Sequence, residues 1–138
     1  MRREALNWLA EAEVDLGRAE RAFNNNDYAL AAFMSQQACE KAFKAAYLAL
    51  ARSIYPRTHD LTNLYDGIRG FLSLGERIES MLAEVSQYYT IARYPNAGLE
   101  RPSRSITRMQ AERALEVARE VVRVAREKIG GAGSSRED

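Results

Sequence analysis

Apolar residues recur at helical spacing along almost the whole chain. Over residues 4–23, Leu9, Ala12, Leu16, Ala19 and Phe23 fall on one helix face, and the polar run at 24–27 closes the segment. Asn26 or Asp27 then caps a second helix over 28–51. That segment is apolar on more than one side. Ala31, Ala32, Ser35, Cys39, Ala42 and Ala46 form a stripe of small residues, thickened by Phe33, Phe43, Tyr47 and Leu50. A helix apolar on several sides belongs in the middle of a fold, and its alanines let neighbouring helices approach closely.

Residues 52–60, RSIYPRTHD, read as a turn punctuated by Pro56, with a shorter helix following at 61–73. Gly75 breaks the chain. A further helix runs over 76–94, with Ile78, Met81, Leu82, Val85, Tyr89 and Ala92 on one face and Pro95 ending it. Residues 95–106 are a loop. Thr107 and Gln110 form a capping-box pattern that opens the last helix, where Ala111, Ala114, Ala118, Val121 and Ala125 repeat at spacings of three and four. GGAGSSRED, residues 130–138, reads as a helix stop and a disordered tail. The expectation is an all-α fold: an antiparallel up-down bundle of four main helices plus one short helix, in a single domain over 1–129.

The length of 138 residues suits one domain with a real core. Net charge is +1, but it is unevenly spread. Residues 1–40 carry four Arg against seven Asp/Glu, and residues 93–128 carry nine Arg/Lys against five Glu. The basic C-terminal third is a weak pointer to an anionic partner. Cys39 is the only cysteine, which excludes an internal disulfide and a cysteine-rich zinc site. No stretch approaches the roughly 20 apolar residues that span a bilayer, and the charged N-terminus has no signal-peptide run. The expected setting is the cytoplasm, without a membrane.

There is no glycine-rich phosphate loop, His-Glu-x-x-His, serine elbow or Glu-x-x-His pattern, so no metal and no cofactor are expected. Four features remain. Gln36, Glu40 and Lys44 share one face of the second helix, and Gln37 and Lys41 share the next. They form either a solvated stripe with a Glu40–Lys44 ion pair or a polar interface network against another helix or subunit. His59 either fixes its turn through a hydrogen bond or, as the only histidine, moves protons near neutrality. Arg93, in the last turn of its helix, either offsets the helix dipole or forms a fork for phosphate or carboxylate, with Tyr88, Tyr89 and Tyr94 as flanking surfaces. The arginines at 101, 104, 108 and 113 are either a solvated face or an extension of an anion site.

Taken in order, these fragments resemble the HEPN family, the domain named for higher eukaryotes and prokaryotes nucleotide binding. WLAEAEVDLGRAERAF resembles the family's opening helix. DYALAAFMSQQACEKAFKAAYLAL resembles its second, where Gln36, Gln37, Ala38, Glu40, Lys41 and Lys44 fit the strongest family pattern. THDL at 58–61 and ARYP at 92–95 fit two later landmarks. The resemblance implies a bundle of four main helices that commonly forms homodimers. It also implies that prokaryotic members often stand beside a small nucleotidyltransferase in toxin–antitoxin-like pairs. Many members are ribonucleases that use an arginine followed a few residues later by a histidine, paired across the dimer. Here no histidine follows Arg93. Arg52 and His59 have the right spacing, but Pro56 lies between them and the nuclease motif belongs to a later helix.

The reading is therefore a non-catalytic HEPN homodimer. It binds a nucleotide or RNA phosphate through Arg93, Tyr94, Tyr89, His59 and Lys44, and it pairs with a nucleotidyltransferase. The alternatives are a metal-independent ribonuclease toxin using His59 and Arg93, and a purely structural assembly partner.

Overall fold

The computed structural model describes residues 2–133, and these are all-helical, with no strand among them. The elements are α1 (Arg2–Asn24), α2 (Tyr28–Ala46), a π-helical turn (Tyr47–Ala51), α3 (Leu61–Ile68), α4 (Glu76–Glu79), α5 (Leu82–Ile91), α6 (Pro102–Ser105) and α7 (Arg108–Gly133). No helix among them is long and apolar enough to cross a membrane.

The centre of the bundle is α2, packed against α1 and α7 and, on its other flank, against α3 and α5. The reason is its small-residue stripe. Ala31, Ala32, Ser35, Cys39, Ala42 and Ala46 are all fully buried, and short side chains let these neighbours close in. Phe43 fills the space that remains and is itself fully buried; truncation to alanine would cost about 3–5 kcal/mol. Burial also pushes the Cys39 thiol far above its usual pKa, so it serves as a packing residue. Arg119–Glu20 (3.0 Å) and Arg126–Glu13 tie α7 antiparallel to α1.

The helix starts follow the caps read from the sequence. Asp27, rather than Asn26, caps α2 by accepting from the Leu30 amide, while Asn26 takes the left-handed turn conformation. Asp60 accepts from the Thr62 and Asn63 amides and caps α3. Thr107 and Gln110 exchange hydrogen bonds in a reciprocal capping box.

The helix ends differ more. The segment expected as one helix over 28–51 finishes in a π-helical turn closed by Arg52 in the left-handed region (φ 53°). The helix expected over 61–73 stops at Ile68. The helix expected over 76–94 is two pieces, broken at Ser80 and Met81. Within α5, Tyr88 goes fully into the core while Tyr89 is only half-buried. Beyond the break, Tyr88 continues the Leu82–Val85 spacing, and its hydroxyl donates to Glu84 (2.6 Å). The loop over 95–106 contains the single turn α6. The glycines at 130 and 131 do not stop α7, which continues to Gly133; the rest of the expected tail lies outside the described residues.

Candidate functional site

The middle of α2 carries polar side chains into the fold. Gln36 is fully buried and Glu40 nearly so, because that side of α2 is covered by the loop over residues 52–60. Burial alone would push the Glu40 carboxyl above the usual range. Three donors outweigh it: Lys44 Nζ at 2.7 Å, His59 Nδ1 at 3.0 Å and Gln36 Nε2 at 3.1 Å. Together they hold Glu40 below its ordinary pKa, ionised at neutral pH. Gln36 Nε2 also donates to the His59 carbonyl (3.0 Å), and Gln37 donates to Gln36 Oε1 (2.7 Å). The loop that presents His59 is thus fastened to α2 at both its backbone and its ring.

Two further groups extend the network along α2. The Lys44 ammonium lies over Trp8 (5.3 Å) and Tyr55 (5.1 Å), which meet edge to face. Lys41 donates to Asp15 (2.6 Å), which also takes Arg18 (2.9 Å). Asp15 is fully buried on α1. Of the sequence-read residues, Gln36, Glu40, Lys44 and His59 form one cluster, Gln37 joins through Gln36, and Lys41 turns instead to α1.

Arg93 stands beyond the last residue of α5, Ile91, and its capping residue Ala92, so it is outside the helix and not in its last turn. Its chain folds back. Nε donates to the Tyr89 carbonyl (2.7 Å), and the guanidinium lies over Phe33 (4.7 Å), Tyr89 (4.6 Å) and Tyr94 (4.7 Å). The helix-end role is therefore real, but it occupies only Nε. No carboxylate among the described residues pairs with this guanidinium. The His59 ring stacks on Tyr89 at 3.8 Å with 13° between planes. Two groups cannot stack on one face of a ring, so Tyr89 lies sandwiched between His59 and Arg93. The two residues meet within one chain, with a phenol ring between them.

The arginine series divides. Arg113 makes a two-pronged pair with Glu84 (2.8 and 2.9 Å), and this pairing lowers the Glu84 pKa. Arg108 reaches the Tyr28 hydroxyl (3.3 Å) and lies over Phe23 (4.7 Å). Arg101 and Arg104 are exposed at α6. Sequence reasoning did not single out Asp15, Trp8 and Tyr55, and it read Phe33 as core. Asp15 had a signal: it falls three residues after Ala12 and four before Ala19, on the apolar face. The other aromatics had none, because their partners come from distant segments.

An all-α bundle with an alanine-lined central helix, and a polar network running from that helix to a loop histidine, defines the class. The family profile of the HEPN domain matches residues 5–128. The chain belongs to the HEPN family. Among solved structures it is similar to TT1696 from Thermus thermophilus, at 32% identity and a TM-score of 0.80, covering 93% of this chain and 99% of that one. It is also similar to ST0689, an archaeal HEPN homologue, at 27% identity and a TM-score of 0.72, covering 91% and 97%. No curated protein matches the chain.

Proposed function

We propose that this HEPN domain is non-catalytic and holds the phosphate of a nucleotide or of RNA at Arg93. In this reading it works as a homodimer and pairs with a small nucleotidyltransferase in a toxin–antitoxin-like module; those two partnerships rest on the family. The observation that carries the phosphate reading is the setting of Arg93: a guanidinium packed among three aromatic rings with no carboxylate partner among the described residues. The N–H edges other than Nε are left for an anion, and phosphate fits that fork. Tyr89 and Tyr94 hold the fork in place, and His59, whose Nδ1 faces Glu40, stacks on Tyr89 beside it. Lys44 contributes less, because Glu40 already takes its charge.

Titration calorimetry with ATP and with a short single-stranded RNA tests this. A hydrogen bond to a charged group is worth about 1.5–3 kcal/mol, so Arg93→Ala is expected to weaken binding at least about tenfold. Equal binding by wild type and variant defeats the reading.

The ribonuclease reading has one observation in its favour. The Glu40 carboxylate accepts a hydrogen bond from His59 Nδ1, and such a partner orients a histidine with Nε2 as its free nitrogen. Expression of the protein alone in a bacterium separates the two readings. Growth arrest that His59→Ala abolishes would establish the nuclease, and unimpaired growth supports the non-catalytic reading.

A further inference from the structure

The rings around Arg93 are not equivalent. Tyr89 has both faces covered, by the His59 ring at 3.8 Å and the Arg93 guanidinium at 4.6 Å. Phe33 is half-buried between the Arg93 guanidinium and Tyr89. Neither is an exposed ring. Tyr94 differs. It is 52% exposed, its one ring contact among the described residues is the Arg93 guanidinium at 4.7 Å, and it stands on the turn after α5. One flat face of Tyr94 is backed by a cation and the other is open.

We infer that Tyr94 is the base platform of this site and makes it selective for nucleoside phosphates over bare phosphates; the inference rests on the proposed phosphate role of Arg93. Any nucleobase can stack on an exposed tyrosine, because every base has a π-face. The guanidinium behind the ring holds it flat and draws electron density from it, which favours stacking by an electron-rich purine. The geometry suits a 5′-nucleotide. A phosphate on the edge of Arg93 and a base on the outer face of Tyr94 are separated by about the thickness of one ring plus a stacking distance. A ribose spans that gap. Tyr89 cannot substitute, since a base on it would have to displace either His59 or Arg93.

The test is calorimetric binding of AMP, CMP, ribose 5-phosphate and inorganic phosphate to wild type, Tyr94→Leu, Tyr94→Phe and Arg93→Ala. Wild type is expected to bind AMP about tenfold more tightly than ribose 5-phosphate, the size of one aromatic–base stack, with CMP between them. Tyr94→Leu should abolish the difference between AMP and ribose 5-phosphate, with AMP losing the more. Tyr94→Phe, which keeps the ring, should behave as wild type. Circular dichroism melting would show that each variant is folded. Equal binding of AMP and ribose 5-phosphate by wild type overturns the inference while leaving the phosphate site standing. So does a Tyr94→Leu variant that keeps the preference for AMP. If wild type binds none of the four ligands, the phosphate reading fails and the base platform falls with it.

Discussion

Two regions of this molecule use arginine in opposite ways. Along α7 past Arg108, which meets Tyr28 and Phe23, guanidinium groups meet carboxylates: Arg113 on Glu84, Arg119 on Glu20 and Arg126 on Glu13 on other helices, and Arg123 on Glu120 within α7. At the end of α5, Arg93 meets aromatic rings and a backbone carbonyl. The first arrangement neutralises charge and staples helices. The second orients a charge without neutralising it. A cation whose charge is already cancelled has little left to offer a ligand, so the residue type alone says nothing about binding. The network at Glu40 lies between these extremes: it is a carboxylate pairing, but a nearly buried one, and it reaches the same tyrosine as Arg93 through His59.

The largest expected effect comes from breaking that buried pairing. Glu40→Ala strands the Lys44 ammonium inside the fold and leaves Gln36 Nε2 with the His59 carbonyl alone. It should cost about 3 kcal/mol in urea unfolding, the range for removing one partner of a buried pair. Glu40→Gln, which keeps acceptor and volume, should cost less. If Glu40→Ala proves neutral, the network is not a structural tie.

Next is Arg93→Ala, which sharpens the contrast directly. Nucleotide affinity should fall at least about tenfold, while stability changes by no more than about 1 kcal/mol, because exposed cation–π contacts are individually weak. A large loss of stability would make Arg93 a structural tie and not a charge held for a ligand.

Acid titration also separates the regions. Glu40 and Glu84 both have lowered pKa values, Glu40 because its donors outweigh burial and Glu84 chiefly through Arg113. A carboxylate with a depressed folded pKa contributes stability that is present above its unfolded value, about 4.3 for Glu, and is lost as pH falls through the folded pKa. Wild-type unfolding free energy should therefore decline below about pH 4.5. Glu40→Gln and Glu84→Gln should each flatten that decline, whereas Arg93→Ala should leave it unchanged, since no carboxylate among the described residues answers to Arg93. The smallest effect belongs to the exposed staples. Arg119→Ala or Arg126→Ala should shift stability by about 0.5 kcal/mol or less, and less still in high salt.

Much of the fold was legible because helix caps and apolar periodicity are local. Asp27, Asp60 and the Thr107–Gln110 pair act within a few residues of themselves, so their side chains announce the helix starts. The helix ends were less legible. Arg52 adopts a left-handed conformation without being glycine, and Gly130 and Gly131 stay helical. Such choices depend on what packs alongside. What matters most for the site is that, of two adjacent tyrosines in α5, Tyr88 enters the core with Leu82 and Val85 while Tyr89 faces His59.

The candidate site shows the same division. By itself the sequence determined that Gln36, Glu40 and Lys44 share one face of α2, that Arg93 lies at a helix end among tyrosines, and that α2 is the central helix. Only the tertiary structure decided that this polar face turns inward beneath the loop bearing His59, that Asp15 waits on α1 for Lys41, and that His59 and Arg93 close on the two sides of Tyr89. The physical reason is that helical periodicity states which side chains share a face. What meets that face is set by packing between segments distant in the chain, where burying a carboxylate becomes favourable only once its donors arrive from elsewhere.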